Sequence, residues 1–165
     1  MHNNFFFLSY YSLEGKFKGM KKRKPTICSN IKFVWHAIAR LYNEQGSKYG
    51  VTTSVGFVLL NIDKEEGVPA TKIAPMLGME AHGLSRILKN LEKENLIYRK
   101  KDEKDKRLAK VYLTEKGKEA KEIAKNVVRK FNNTIKEEIS ENKLEVFNEV
   151  IEKINNIIAE KKIYQ

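Results

Sequence analysis

The sequence predicts a mainly α-helical fold in which long helices at both ends flank a small lobe that carries the β structure. Apolar residues recur at helical spacing along most of the chain, and the spacing becomes that of strands only between residues 96 and 113. Of the 165 residues, 41% are hydrophobic, so the chain can bury a core without disulfides or metals. We therefore expect one helical unit with a single hairpin.

The first long helix is predicted to begin at Ile27, because apolar residues form one stripe with alternating steps of four and three. The stripe comprises Ile27, Ile31, Val34, Ile38 and Leu41, widened by Trp35, Ala39 and Tyr42. Gly46 and Gly50 are expected to end this helix. Such an amphipathic helix needs a partner surface, and we assign residues 25–50 to dimerisation.

A second helix follows the glycines. Thr52 or Thr53 can cap it, and its apolar face is predicted to end near Gly67. The residues of this face are Val55, Val58, Leu59 and Ile62. We expect this helix to pack into the core of the middle lobe.

The third and fourth helices are separated by a glycine. The third is predicted over residues 70–77, with Gly78 as its stop, and Pro75 removes a backbone donor inside it. We therefore expect the third helix to be short or kinked. The fourth helix is predicted over residues 80–94.

A β-hairpin is predicted after the fourth helix. Asn95 stands at the turn and tolerates the left-handed conformation that a helix end requires. Residues 96–101 and 108–113 alternate as strands do, and the charged stretch 102–107 lies between them. The hairpin therefore has a highly charged tip.

Two long helices are predicted to end the chain. Thr114 is a suitable N-cap for the first, and Ser140 for the second. The apolar stripes consist of Ala124, Val127, Phe131, Ile135 and Ile139, and then of Leu144, Phe147, Ile151, Ile154 and Ile158. We assign residues 114–165 to dimerisation, because these stripes bury best against a second copy, with a monomeric helical bundle as the alternative.

Helices two to four, the glycine turn and the hairpin are the parts of a winged helix-turn-helix lobe, which we place at residues 51–113. In the fourth helix Leu84, Ile87, Leu88 and Leu91 form the core side. The opposite side comprises Ala81, His82, Ser85, Arg86 and Lys89. Such residue types can read base edges in the major groove, although any solvated helix face has a similar composition.

The charge of the chain favours polyanionic partners, since 32 Lys and Arg against 21 Asp and Glu give +11. The predicted hairpin supplies several of these cations, among them Lys100, Lys106 and Arg107, which suit DNA phosphates or a narrow minor groove. Residues 1–24 are expected to form a flexible basic tail. Met20 is an alternative translation start within this tail.

Several function classes are excluded by what the sequence lacks. Cys28 is the single cysteine, and the three histidines lack metal-ligand spacing, so we expect no disulfide, metal or cofactor. No apolar run approaches the roughly 20 residues of a membrane span. Phosphate loops, nucleophile elbows and paired-carboxylate motifs are also missing. We expect a cytoplasmic protein that is not an enzyme.

Three segments carry a resemblance to a known family. They are residues 83–99, the Asp-Glu-Lys-Asp-Lys-Arg tip at 102–107, and the Leu-Thr-Glu-Lys-Gly segment at 113–117. Together they resemble the MarR (multiple antibiotic resistance regulator) family of winged helix-turn-helix transcription regulators. The order of the helices extends the resemblance over residues 27–158.

The resemblance implies a homodimer in which the terminal helices interlock and the winged lobes contact a pseudo-palindromic operator in double-stranded DNA. It implies that Arg107 enters the minor groove with Asp105 as its ion-pair partner, and that Ser85 and Arg86 match recognition-helix positions. We therefore expect a repressor of neighbouring genes that a small aromatic or anionic molecule releases from DNA.

Three further hypotheses stay open. Residues that can line an effector pocket, or pack in the core or the dimer seam, are Trp35, His36, Tyr42 and Phe57. Members of the family also sense oxidants through a cysteine near the first helix, which draws attention to Cys28, although Lys32 occupies the matching position here. Finally, a winged lobe can serve as an adaptor that binds another protein through the same basic surface.

Overall fold

A computed structural model describes residues 25–101 and 109–160 of the chain. These residues fall into two compact units, 25–37 and 38–160. The elements are α1 (Ile27–Ser47), α2 (Thr53–Leu60), β1 (Val68–Pro69), α3 (Ala70–Met76), α4 (Ala81–Lys93), β2 (Ile97–Lys101), β3 (Ala109–Leu113), α5 (Glu115–Glu138) and α6 (Glu141–Ala159). This order confirms the predicted mainly helical winged fold.

The three strands form one antiparallel sheet in the order β1-β3-β2. The predicted hairpin is β2 paired with β3, in a register that places Ile97 opposite Leu113. The pairing of β1 with β3, through Val68 opposite Val111, was not predicted. A strand of two residues has no alternation to detect, and Pro69 cannot donate to a ladder, so the sequence carried no signal for β1.

The core of the unit 38–160 lies where α2, α3 and α4 pack against the sheet and the start of α5. The largest fully buried side chains are Leu59, Ile62, Ile73, Leu91, Val58 and Val111. Four of these residues, Val58, Leu59, Ile62 and Leu91, belong to the apolar faces predicted above. Ile73 lies on the predicted third helix, and Val111 lies in the predicted hairpin. The periodicity therefore identified the buried side of the lobe correctly.

The prediction that the second helix continues to near Gly67 is wrong, because α2 ends at Leu60. Residues 63–66 form a tight turn in which the Asp63 carboxylate accepts the N–H groups of Glu65 and Glu66, both at 2.8 Å. The N–H donors of Glu66 and Glu65 hold the pKa of Asp63 below its usual value. Ile62 is fully buried although it lies beyond the helix, which explains why its spacing looked helical.

The helix ends follow the predicted signals in most places. The Thr52 hydroxyl accepts the N–H of Val55 at 3.3 Å and so caps α2. α3 has only seven residues and contains Pro75, in agreement with the expected short helix. Ser140 occupies the N-cap of α6, but its side chain makes no capping bond.

Two of the long helices are poorly covered within the described part of the chain. α6 has 19 residues and none of them is buried. In α1 only Tyr42 and Gly46 are buried. The start of α2 is nevertheless fixed to α1, since the Thr53 N–H donates to Asn43 Oδ1 at 2.8 Å and the Thr53 hydroxyl donates to the Ala39 carbonyl at 3.0 Å.

Candidate nucleic-acid interface

The helix α4 has one buried and one exposed face. Leu84, Leu88 and Leu91 are buried, and Ile87 packs against the same core. The five residues predicted for the DNA face are all exposed, and they are Ala81, His82, Ser85, Arg86 and Lys89. The structure thus places these five side chains on one solvent-facing surface, which we call the α4 outer face.

The hydroxyl of Ser85 is already engaged within α4. It donates to the Ala81 carbonyl at 3.0 Å. The oxygen of that hydroxyl keeps its capacity to accept a hydrogen bond. In this rotamer the Ser85 hydroxyl can therefore accept a further hydrogen bond, while its proton is already used within α4.

The turn before α4 is made by Gly78, which has φ +59°. This left-handed conformation carries little cost for glycine and lets the chain reverse between α3 and α4. The N–H of Met79 returns to the Ala74 carbonyl at 2.9 Å and closes the turn. The two helices of the helix-turn-helix are therefore held at a fixed crossing.

The C-terminal end of α4 is fastened to the beginning of α5. Asn95 adopts φ +57°, as predicted from its tolerance of the left-handed region. The Thr114 hydroxyl donates to the Asn95 carbonyl at 2.7 Å and accepts the N–H of Gly117 at 3.0 Å. The Lys116 ammonium donates to the Glu94 carbonyl at 2.8 Å, where the end of a helix concentrates negative partial charge.

Gly117 completes this attachment because the backbone of Leu96 passes directly over it. A Cβ atom at position 117 would lie 1.9 Å from the Leu96 carbonyl oxygen. Three residues of the segment Leu-Thr-Glu-Lys-Gly, namely Thr114, Lys116 and Gly117, thus orient α4 against α5. Sequence reasoning identified Thr114 as a cap but did not identify the contact of Lys116 with α4.

The hairpin of β2 and β3 forms the wing, and its strands carry several cations. Arg99 on β2 forms an ion pair with Glu92 on α4, with Nε and Oε1 2.9 Å apart. Lys100 is exposed and lies opposite Lys110 in the register. On the same face the rings of Tyr98 and Tyr112 stack with centroids 5.4 Å apart. The tip residues lie outside the described residues; they are Lys106 and Arg107, predicted to contact DNA, and Asp105, predicted to pair with Arg107.

Two of the four residues predicted for an effector pocket meet in the unit 38–160. The rings of Tyr42 and Phe57 have centroids 6.2 Å apart, and Phe131 of α5 meets Tyr42 edge-on at 5.7 Å. Burial raises the pKa of the Tyr42 hydroxyl. Trp35 and His36 belong to the unit 25–37, where both are exposed.

A groove of about 570 Å³ lies beside these aromatic rings, between the C-terminal half of α1 and α5. Its lining includes the aromatic rings of Tyr42 and Phe131 and the side chains of Lys48 and Lys130. Phe57 lines a separate cavity of about 20 Å³, which is too small for an organic ligand. Sequence reasoning missed the two lysines, because the spacing within α1 does not reveal which side chains of α5 lie opposite.

Three observations concern the metal, cysteine and membrane features considered from the sequence. Residues 25–101 and 109–160 contain no group of three His, Cys, Asp or Glu side chains that could hold a metal ion. Cys28 is exposed. None of the described helices combines the length and the apolar character that crossing a membrane requires.

Comparison with known proteins agrees with this geometry. The model of the MarR family matches residues 51–108. The HTH-type transcriptional regulator SarZ of Staphylococcus epidermidis is 31% identical over 104 residues, covering 61% of this chain and 70% of the relative. SarZ of Staphylococcus aureus is 31% identical over 99 residues, covering 58% and 67% of the two chains.

Solved structures share the fold. The S. aureus MepR–DNA complex superposes with a TM-score of 0.73 at 22% identity, covering 81% of this chain and 98% of MepR. The transcriptional regulator SlyA gives 0.74 at 22% identity, covering 83% and 96%. The fold, the exposed face of α4 and the relatives agree, and the chain belongs to the MarR family.

Proposed function

We propose that this protein is a DNA-binding transcription regulator that places α4 in the major groove of duplex DNA. The observation that carries the proposal is the division of α4 into a leucine face in the core and an exposed outer face. An α-helix fits the major groove, where Arg, Lys and Ser can bond to base edges and Ala allows close approach. Relatives named as transcriptional regulators support this function over an enzymatic one.

Each candidate residue receives a role from its place. Arg86 and Ser85 would read base edges, and His82 and Lys89 would contact bases or phosphates at the sides of the groove. Lys100 would contact a backbone phosphate. For the tip we propose that Arg107 enters the minor groove, oriented by Asp105, with Lys106 on a phosphate; the family resemblance supports these three roles.

The change Arg86→Ala tests the reading of bases. We expect it to weaken binding to the operator by about 1–3 kcal/mol, because a bidentate contact between guanidinium and guanine is lost. Binding to random duplex DNA should change much less. The measurement is a fluorescence-anisotropy titration of both duplexes at fixed salt concentration.

Lys136→Ala is the matched control for that experiment, since it removes one exposed positive charge from the last turn of α5. It should leave the ratio of operator to random affinity unchanged. If Arg86→Ala also left that ratio unchanged, α4 would not be the reading helix. A wild-type protein that bound a protein partner but no duplex would favour the adaptor hypothesis.

We further propose that the regulator acts as a homodimer. Exposed apolar side chains line both α1 and α6, and they include Ile27, Val34, Phe147, Val150 and Ile158. Such continuous apolar faces on a soluble protein mark an interface, and a twofold partner would cover them. Two copies of α4 would then meet the two halves of a pseudo-palindromic operator in the cytoplasm.

We propose that the groove between α1 and α5 binds the effector, a planar aromatic anion, and that this binding relieves repression of neighbouring genes. The volume of the groove suits a small organic molecule, its lining includes two aromatic rings, and Lys48 and Lys130 would attract a carboxylate. The predicted aromatic pocket is thereby revised in this proposal to Tyr42 with Phe131 and the two lysines. Because α5 lines this groove and also carries the winged lobe, a bound effector would contact the helix on which the lobe is mounted.

Calorimetric titration with 2-naphthoate, an aromatic carboxylate, tests the effector site. We expect Lys130→Ala to weaken binding about fivefold, equivalent to about 1 kcal/mol for a partly exposed charge contact. Lys136→Ala should bind 2-naphthoate as the wild type does. Equal affinities in all three proteins, or no binding to the wild type, would refute this assignment.

A further inference from the structure

The side chain of Lys121 joins α5 to the end of α2. Its ammonium donates to the carbonyl oxygens of Leu60 at 3.1 Å and Ile62 at 2.5 Å. Carbonyls at the end of a helix lack partners within the helix and carry negative partial charge, so a lysine satisfies them well. The two bonds cross about 60 positions of sequence and link separate elements.

Two further contacts support the same junction. Lys64, in the turn after α2, forms an ion pair with Glu122, with Nζ and Oε1 2.6 Å apart. Gly56 of α2 packs closely on Ala124, since a Cβ at position 56 would lie 3.3 Å from the Cβ of Ala124. The pKa of Lys121 is lowered by burial, an effect that the nearby Asp63 carboxylate partly opposes.

The DNA-reading lobe is thus attached to α5 at two levels. The first is the N-terminal turn of α5, where Thr114 and Lys116 hold the end of α4. The second lies about 7.5 Å beyond Lys116 along the helix axis, where Lys121 holds the turn that leads into β1 and α3. Together with the packing of Ala120 and Ala124 in the core, the second attachment opposes rotation of the lobe about the first.

We infer that Lys121 is a positioning residue for DNA binding, which fixes the angle of the winged lobe on α5 and so sets the separation of the two recognition helices. The inference rests on the proposed homodimeric regulator. The two copies of α4 must meet half-sites about one helical turn apart, roughly 34–36 Å. A lobe with a fixed angle tolerates one half-site spacing, and a lobe that pivots tolerates several.

The change Lys121→Met removes both bonds while it keeps the length and apolar stem of the side chain. Affinities are measured by fluorescence anisotropy for the operator and for two derivatives with one base pair inserted or deleted between the half-sites. We expect the wild type to prefer the original spacing by about tenfold or more, equivalent to about 1.4 kcal/mol. In Lys121→Met this preference should fall to within about threefold.

Two variants make the result specific. Lys125→Met removes an exposed lysine one turn further along α5 and should keep the wild-type preference. Lys121→Arg keeps a cationic donor at this position and should retain most of the preference for the original spacing. A variant that is merely destabilised would lose affinity for the three duplexes equally, so the ratio between duplexes isolates positioning from stability.

Each outcome separates this inference from the proposed function. A wild type that does not distinguish the operator from random duplex would contradict the regulator itself. A wild type that discriminates spacing, together with a folded Lys121→Met that discriminates equally well, would overturn only the role of Lys121. Should Lys121→Met not fold, Glu122→Gln removes the neighbouring ion pair and must shift the ratio in the same direction, or the inference fails.

Discussion

Replacing Gly117 by alanine should destabilise the protein by about 1–2 kcal/mol. The new Cβ would lie 1.9 Å from the carbonyl oxygen of Leu96 and 2.9 Å from its carbonyl carbon. These atoms are backbone, so relief requires the strand start and the turn at Asn95 to shift. Overpacking of this kind costs about 1–3 kcal/mol or more, and the better helix propensity of alanine returns at most about 1 kcal/mol.

Gly83→Ala is a closely matched control for this change. Both glycines are the third residue after their N-caps, Thr114 for α5 and Glu80 for α4. A Cβ at position 83 meets only the end of the Met79 side chain, at 3.8 Å. Urea unfolding should therefore show a lower free energy of unfolding for Gly117→Ala and an undiminished one for Gly83→Ala. Equal stabilities in both variants would refute the close junction between α4 and α5.

Phe147→Asp should convert the proposed dimer to a monomer. Phe147 is 59% exposed on a helix that buries no residue within the described chain, so the change costs little in the single subunit. In the dimer the carboxylate would be trapped in an apolar interface without a partner. Operator affinity should fall by about 10²- to 10⁴-fold, since the two half-sites are no longer bound by one molecule.

Light scattering and operator titration together test this change. Asn148→Asp introduces the same charge at the adjacent position, outside the apolar stripe, and should remain dimeric with full affinity. A dimeric mass for Phe147→Asp would exclude this face of α6 from the interface. A monomeric mass for the wild type would contradict the dimer altogether.

Sequence periodicity was sufficient for the parts of the fold that bury one side of a helix. The leucines of α4 repeat with the helical period, so the opposite face could be predicted from the sequence. Asn95 could be placed in the left-handed region because few residues other than glycine tolerate it. The exposed face of α4 could be predicted because one helix determines which of its own residues share a face.

Contacts between distant elements could not be predicted in the same way. Ile62 continued the helical spacing, yet α2 ends at Leu60, and the Asp63 carboxylate closes the turn that follows by accepting the N–H groups of Glu65 and Glu66. Lys116 and Lys121 each donate to carbonyls of another element, and nothing in the spacing of lysines identifies such acceptors. The pocket lysines come from distant parts of the chain, since Lys48 directly follows α1 and Lys130 lies on α5, so their meeting depends on tertiary packing.

We propose that the outer face of α4 reads a specific operator. Footprinting of the gene's own upstream region, with excess random duplex as competitor, tests this proposal. We predict one protected pseudo-palindrome whose half-sites lie about 10 base pairs apart, with protection lost in Arg86→Ala. Uniform weak protection along the region, identical for the wild type and Arg86→Ala, would contradict the claim.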